Sequence, residues 1–398
     1  MRILSDAAKR LEGQPMFQIL EKAKALERAG HEVIHFELGD PDFKTPENIV
    51  QACLDSIKKG ETHYVGALGI LELRNAAREA MKKGARKFYP DLDQVMVTPG
   101  ANLQIFYVLA CVANPGDEII IPDPSFPTYN SIIKFLGLKA IKVRLKEENS
   151  FRLDPKEVEK VITPRTRLII INSPSNPTGS IMKEEEVREV YNLCKKHDLY
   201  LLSDEIYSRM YYDVEGIRPF SATILDECKE RTILVNGFSK SYSMTGWRLG
   251  VLIAPKLLVE KMSILLEATS SCVAPFIQKA GVEALNGSQE EVKNMMAEYK
   301  SRRDLIVKEL NNLPGVSCIM PPGAFYVFPN IKKTGMSSKE FCDFMLDNAK
   351  VAISPGTIFG QNGEGYVRLS YVTSKENIIK GIARMKYCLE NKNDFTKK

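Results

Sequence analysis

Along the first two thirds of the chain, apolar residues come in short unbroken runs separated by longer stretches with helical spacing. Gln94–Thr98 (QVMVT), Glu118–Pro122 (EIIIP), Lys139–Val143, Arg167–Asn172 (RLIIIN), Leu199–Ser203 (LYLLS), Thr232–Val235 (TILV) and Gly250–Ala254 (GVLIA) read as strands. Several are continuously apolar, the pattern of strands covered on both faces. Asn102–Ala113 and Lys183–His197 read as helices between them. Thr45-Pro46 predicts a helix start, with Thr45 as cap and Pro46 at the first helical position, running to about Lys58. Strands alternating with helices predict an α/β fold with a mostly parallel mixed sheet sandwiched by helices.

Past Ala254 the texture changes. Long charged helices over Glu290–Leu310, Ser337–Asn348 and Lys375–Glu390 alternate with isolated strands at Phe325–Phe328 and Tyr366–Tyr371. This reads as a smaller α+β domain built from both termini. The expected division is 1–44 as a segment of the small domain, 45–285 as the large domain and 286–398 as the rest of the small one. A length of 398 residues is consistent with two such units.

Composition narrows the function. The net charge of +5 is small for this length, and lysines and glutamates are interleaved, so no basic face for nucleic acid stands out. The eight cysteines are scattered without a CxxC pair, which argues against a zinc site or disulfide framework and fits a reducing compartment. The start, MRILSDAAKR, lacks a signal-peptide apolar core, and no apolar run is long enough to span a membrane. A cytoplasmic protein is expected. Phosphate-loop, G-x-G-x-x-G, HExxH and G-x-S-x-G motifs are all missing, and only four histidines are present. A histidine-based hydrolase or a metal centre is therefore not expected.

In an α/β sheet, ligands bind beyond the carboxyl ends of the strands. After VMVT comes Pro99-Gly100-Ala101-Asn102, a helix start whose free N–H groups suit a phosphate. After EIIIP, two prolines brace the loop that carries Phe126. After RLIIIN, a proline-rich turn presents the amide of Asn176. LYLLS is followed by Asp204 and, three positions on, Tyr207; TILV leads to Ser239 and Lys240. A carboxylate at the end of an apolar strand is costly unless a cation or strong donor meets it. An anion site, an aromatic face, a buried acid and a lysine together meet the needs of pyridoxal 5′-phosphate.

Here the chain resembles the fold-type I, class I/II aminotransferases that use this cofactor. NSPSNPTG (172–179), SDEIY (203–207) and SKSYSMTGWRLG (239–250) look like their signatures. ELGDPDF (37–43), THYVGALGILELR (62–74), GAFYVF (323–328) and YVRLSY (366–371) match in the same order. The resemblance implies that Lys240 forms the Schiff base with the cofactor aldehyde and serves as general base, and that Asp204 pairs with the pyridine nitrogen. Tyr207 and Asn176 would donate to the ring oxygen. Ser239, Arg248 and the N–H groups of Gly100, Ala101 and Asn102 would hold the phosphate, and Phe126 would stack on the ring.

On the substrate side, Arg368 with Asn176 and the backbone of Gly39 would bind the α-carboxylate of an amino acid or a 2-oxo acid. Tyr64 would reach the phosphate of a neighbouring subunit, which implies a homodimer with shared sites. Trp247 reads as structural, packing the turn that aims Arg248. The expected reaction is transfer of an amino group from an L-amino acid to a 2-oxo acid in a ping-pong cycle. A lyase or cyclase acting on an amino acid with the same residues is the alternative. The sequence departs from many relatives after Tyr64, where Val65-Gly66-Ala67-Leu68-Gly69 replaces a proline-containing stretch.

Overall fold

A computed structural model describes residues 3–11, 13, 15–83, 86–213 and 216–395. Its centre is a seven-stranded sheet with the spatial order Val95–Thr98, Gly250–Ile253, Thr232–Gly237, Tyr200–Asp204, Thr166–Asn172, Glu118–Asp123 and Lys139–Arg144. Gly250–Ile253 runs antiparallel to both of its neighbours, and the other strands share one direction. The unbroken apolar runs follow from burial on both faces. Leu168 and Ile170 join the core on one side, while Ile169 and Ile171 join the core on the other.

Register decides what meets at the carboxyl edge. Asn172 lies opposite Asp204, and Asp204 lies opposite Val235, so two central strands end level and the third runs two residues further, to Gly237. The turn after Thr232–Gly237 then carries Lys240 over that edge. The helix Ala101–Val112 begins directly after the Val95–Thr98 strand, at the same edge.

The remaining strands form two small sheets. Ser354–Pro355, Val367–Ser370 and Tyr326–Val327 make an antiparallel one with Val367–Ser370 in the middle. Ile34–His35 pairs in parallel with Val351–Ala352, which ties the N-terminal residues to the C-terminal part of the chain. The long helix Glu290–Leu310 packs against Lys375–Glu390. No helix among the described residues is long and apolar enough to cross a membrane.

Two expectations need correction. The helix expected from Thr45 starts at Glu47, with Pro46 as its cap residue and no capping side chain. The Thr45 hydroxyl is engaged elsewhere, donating to the Ser243 carbonyl at 2.7 Å and accepting from Trp247 Nε1 at 3.0 Å. A long-range pair of hydrogen bonds has outcompeted a local one. The expected helix Ser337–Asn348 is α-helical only over Ser338–Phe344 and continues as a π turn, Met345–Ala349. Its start does follow local chemistry: Ser337 and Glu340 form a capping box.

Candidate active site

Lys240 sits in a turn fixed from several directions. Trp247 reaches Thr45 as described, and Thr245 Oγ1 donates to Asp40 Oδ1 at 2.7 Å. The Lys240 amine donates to the Gly39 carbonyl at 2.7 Å. Burial pushes this amine down to about 8; Asp40 opposes the shift, and the positive charges of Arg368 and Arg248 add to it.

Asp204 ends its strand as a buried carboxyl. It accepts from the Tyr129 hydroxyl at 2.5 Å and from the Ile206 N–H at 3.2 Å. Burial raises it to about 6, and those two donors pull the other way. Tyr129 escaped the sequence reading. The available signal was its place three residues after Phe126, one helical turn on in Pro127–Phe135, and the two rings meet edge to face at 5.7 Å.

Arg248 adopts a positive φ of 52° and donates through Nη1 to the Thr245 carbonyl at 2.8 Å. Its guanidinium lies over Gly100. Gly100 has φ of 79°, which favours glycine, and a Cβ there would stand 2.6 Å from Nη2 and displace the guanidinium. Ala101 and Asn102 open the following helix, and first-turn N–H groups have no partner within a helix. A guanidinium and a helix start therefore converge on one spot, a cradle for a dianion.

Arg368, in the middle strand of the antiparallel sheet, is buried. Nη1 donates to Asn176 Oδ1 at 3.2 Å and Nη2 donates to the Glu37 carbonyl, while Nε is buried with no partner among the described residues. Burial lowers its basicity, yet Arg368 remains a cation at any working pH. Its guanidinium carbon lies 4.7 Å from the Tyr326 ring centroid and 4.8 Å from that of Phe359. Tyr326 also shares a 2.8 Å hydrogen bond with Tyr207. Although GAFYVF stood out as a segment, its tyrosine was not singled out from sequence.

The structure brings most of the expected residues to one cavity of about 280 Å³. Gly39, Ala101, Asn102, Phe126 and Asn176 line it, as do Asp204, Tyr207, Ser239, Lys240, Arg248 and Arg368. Gly100 lies beneath Arg248 rather than on the wall. Tyr64 is not brought there by this chain: it is 85% exposed. Met16, Leu38 and Asp40 line the cavity too; Leu38 and Asp40 lie in the segment ELGDPDF but were not singled out within it, and Met16 carried no motif.

The family described as "Aminotransferase class I and II" matches residues 31–385. An aromatic-amino-acid aminotransferase from Thermococcus litoralis is 42% identical, covering 98% of this chain and 99% of that protein. An aspartate aminotransferase from Pyrococcus horikoshii is 40% identical over 94% of both chains. The crystal structure of an aspartate aminotransferase from Rhizobium meliloti superposes with a TM-score of 0.93 at 32% identity, covering 98% of this chain and 99% of that one. With its fold-type I architecture, the chain belongs to the class I and II aminotransferases. It is a transferase of amino groups.

Proposed function

We propose that the cavity holds pyridoxal 5′-phosphate and moves an amino group between an L-amino acid and a 2-oxo acid in a ping-pong cycle. One observation carries this reading: an amine with depressed basicity, a buried carboxyl and an anion cradle line the same small cavity. The donor set fits the cofactor, whose phosphate suits Arg248 and the helix start, and whose ring cation suits the carboxylate of Asp204. When bound, the cofactor supplies an aldehyde that condenses with amines and a ring that accepts the electron pair left as the Cα–H bond breaks.

The chain's residues do the rest. Ser239, Arg248 and the N–H groups of Gly100, Ala101 and Asn102 take the phosphate. Asp204, oriented by Tyr129, offsets a positive ring nitrogen. Tyr207 and Asn176 donate to a ring oxygen, and Phe126 covers a ring face. Lys240 would anchor the coenzyme, and its amine would be the base that takes the proton from the substrate Cα. Arg368 holds the α-carboxylate with Asn176 and the Gly39 backbone, so that the Cα–H bond stands in the breaking direction. The buried Nε of Arg368, which has no partner among the described residues, supports this role, because an anion entering beside it would give that N–H an acceptor.

Arg368→Ala is expected to raise KM for amino acids about 10²-fold, from the loss of charge-assisted hydrogen bonds. A panel of amino donors with steady-state kinetics checks it, and an unchanged KM removes Arg368 from the substrate site. Tyr64, exposed and away from this chain's cavity, supports a homodimer in which each subunit completes its neighbour's phosphate site. Mixing inactive Tyr64→Ala and Lys240→Ala subunits should restore part of the activity, since half of the hybrid's sites regain both side chains. Mixtures that stay as inactive as the separate variants would exclude shared sites. The scattered free cysteines, six of them buried, fit the cytoplasmic setting proposed with this function.

A further inference from the structure

Tyr207 and Tyr326 both line the cavity, and their hydroxyl oxygens stand 2.8 Å apart. Tyr207 lies three residues past Asp204, at the end of a central strand, while Tyr326 pairs with Ser370 in the small antiparallel sheet. Both side chains are buried. Their rings meet edge to face at 5.7 Å, and Phe325 makes a second such contact with Tyr207 at 5.5 Å. Gly39 leaves room for the Tyr326 hydroxyl, because a Cβ at that position would run into it. Packing therefore fixes where the two hydroxyls meet.

A proton count then sets the direction of the bond between them. A phenol has one hydrogen to donate and can also accept. Among the described residues, neither hydroxyl has a second hydrogen-bond partner. If the Tyr207 hydrogen goes to the ring oxygen of the cofactor, only the Tyr326 hydrogen is left to make the bond between the two phenols. Hydrogen bonds in series polarise one another, so a hydroxyl that accepts becomes a stronger donor.

We propose that Tyr326 is a positioning residue that donates its hydroxyl hydrogen to Tyr207 and so commits the Tyr207 hydrogen to the cofactor's ring oxygen. Acting through Tyr207, it draws negative charge from that oxygen. Less charge there weakens the hold on the proton of the bond that joins Lys240 to the cofactor. The proposal rests on the reading of Tyr207 as a donor to the ring oxygen.

The test is a pH titration of the visible absorbance of the loaded protein, whose inflection reports the proton on the Lys240 linkage. Tyr207→Phe should raise that inflection by about one pH unit or more, the scale of a lost hydrogen bond to a charged acceptor. Tyr326→Phe keeps the ring against Tyr207 and Arg368 and removes only the oxygen. It should raise the inflection by about 0.3 pH unit, since a partner in series strengthens a hydrogen bond by a modest fraction. In a Tyr207→Phe background, Tyr326→Phe should add nothing, a coupling that a merely structural role would not produce. A fall in the inflection would show that Tyr326 takes the Tyr207 hydrogen, which overturns the proposal. An equal rise with and without the Tyr207 hydroxyl overturns it too. If Tyr207→Phe itself leaves the inflection in place, the reading of Tyr207 fails and the proposal fails with it. If only Tyr326→Phe leaves it in place, that reading stands and the inference about Tyr326 is wrong.

Discussion

Lys240→Ala is expected to lower turnover by about 10⁵-fold or more, the scale seen when a residue central to catalysis is removed. No neighbour can substitute. Arg248 and Arg368, the other basic side chains on the cavity wall, are guanidinium groups that neither add to an aldehyde nor, being already protonated, accept a proton at working pH. The depressed basicity of Lys240, to about 8, also predicts how the cofactor-free protein behaves. The folded value lies below the ordinary 10.5, so the neutral nucleophilic amine accumulates as pH rises through about 8 rather than through 10.5. The rate of covalent capture of pyridoxal phosphate, followed by absorbance, should show that inflection. Borohydride reduction of the loaded protein should leave its label on the peptide containing Lys240. Label on another lysine, or wild-type turnover in the variant, would remove the central assignment.

Asp204→Asn should lower kcat about 10²–10³-fold, the scale for losing one preorganised electrostatic group. The same change should raise the melting temperature of the cofactor-free protein at pH 8. The sign follows from linkage. Burial raises the Asp204 carboxyl from 3.8 to about 6, so its protonated form is favoured in the fold. A raised acid contributes stability that is fully present below about 3.8 and is lost as pH rises through about 6. At pH 8 the empty fold therefore carries a buried carboxylate whose matching cation would come with the proposed cofactor. Asparagine removes that charge and can still accept from the Tyr129 hydroxyl. On the proposed function, the residue would trade stability of the empty chain for chemistry in the loaded one. Calorimetric scans at pH 5 and pH 8, with and without cofactor, check this. A variant that melts lower at pH 8 without cofactor, or that keeps near-normal kcat, contradicts the account.

These two residues were legible in the sequence because Asp204 closes an apolar strand and Lys240 follows another in the turn beyond its carboxyl end, where ligands bind. The same logic exposed Asn176 and the Gly100 turn. It missed Tyr129 and Tyr326, whose surroundings are ordinary for packed aromatics; only their hydroxyl partners, Asp204 and Tyr207, reveal a role.

By itself, then, the order of apolar runs and turn residues determined the α/β architecture, since two-sided burial and strand-end polarity are local properties of the chain. Tertiary structure alone decided how residues far apart in sequence share a cavity. It brought Gly39 to the Lys240 amine across 201 positions and Glu37 to Arg368 across 331. It also took the Thr45 hydroxyl from its own helix and gave it to the lysine turn. Sheet register and long-range hydrogen bonds set such meetings. Both depend on how whole elements pack, and no stretch of sequence read alone contains that information.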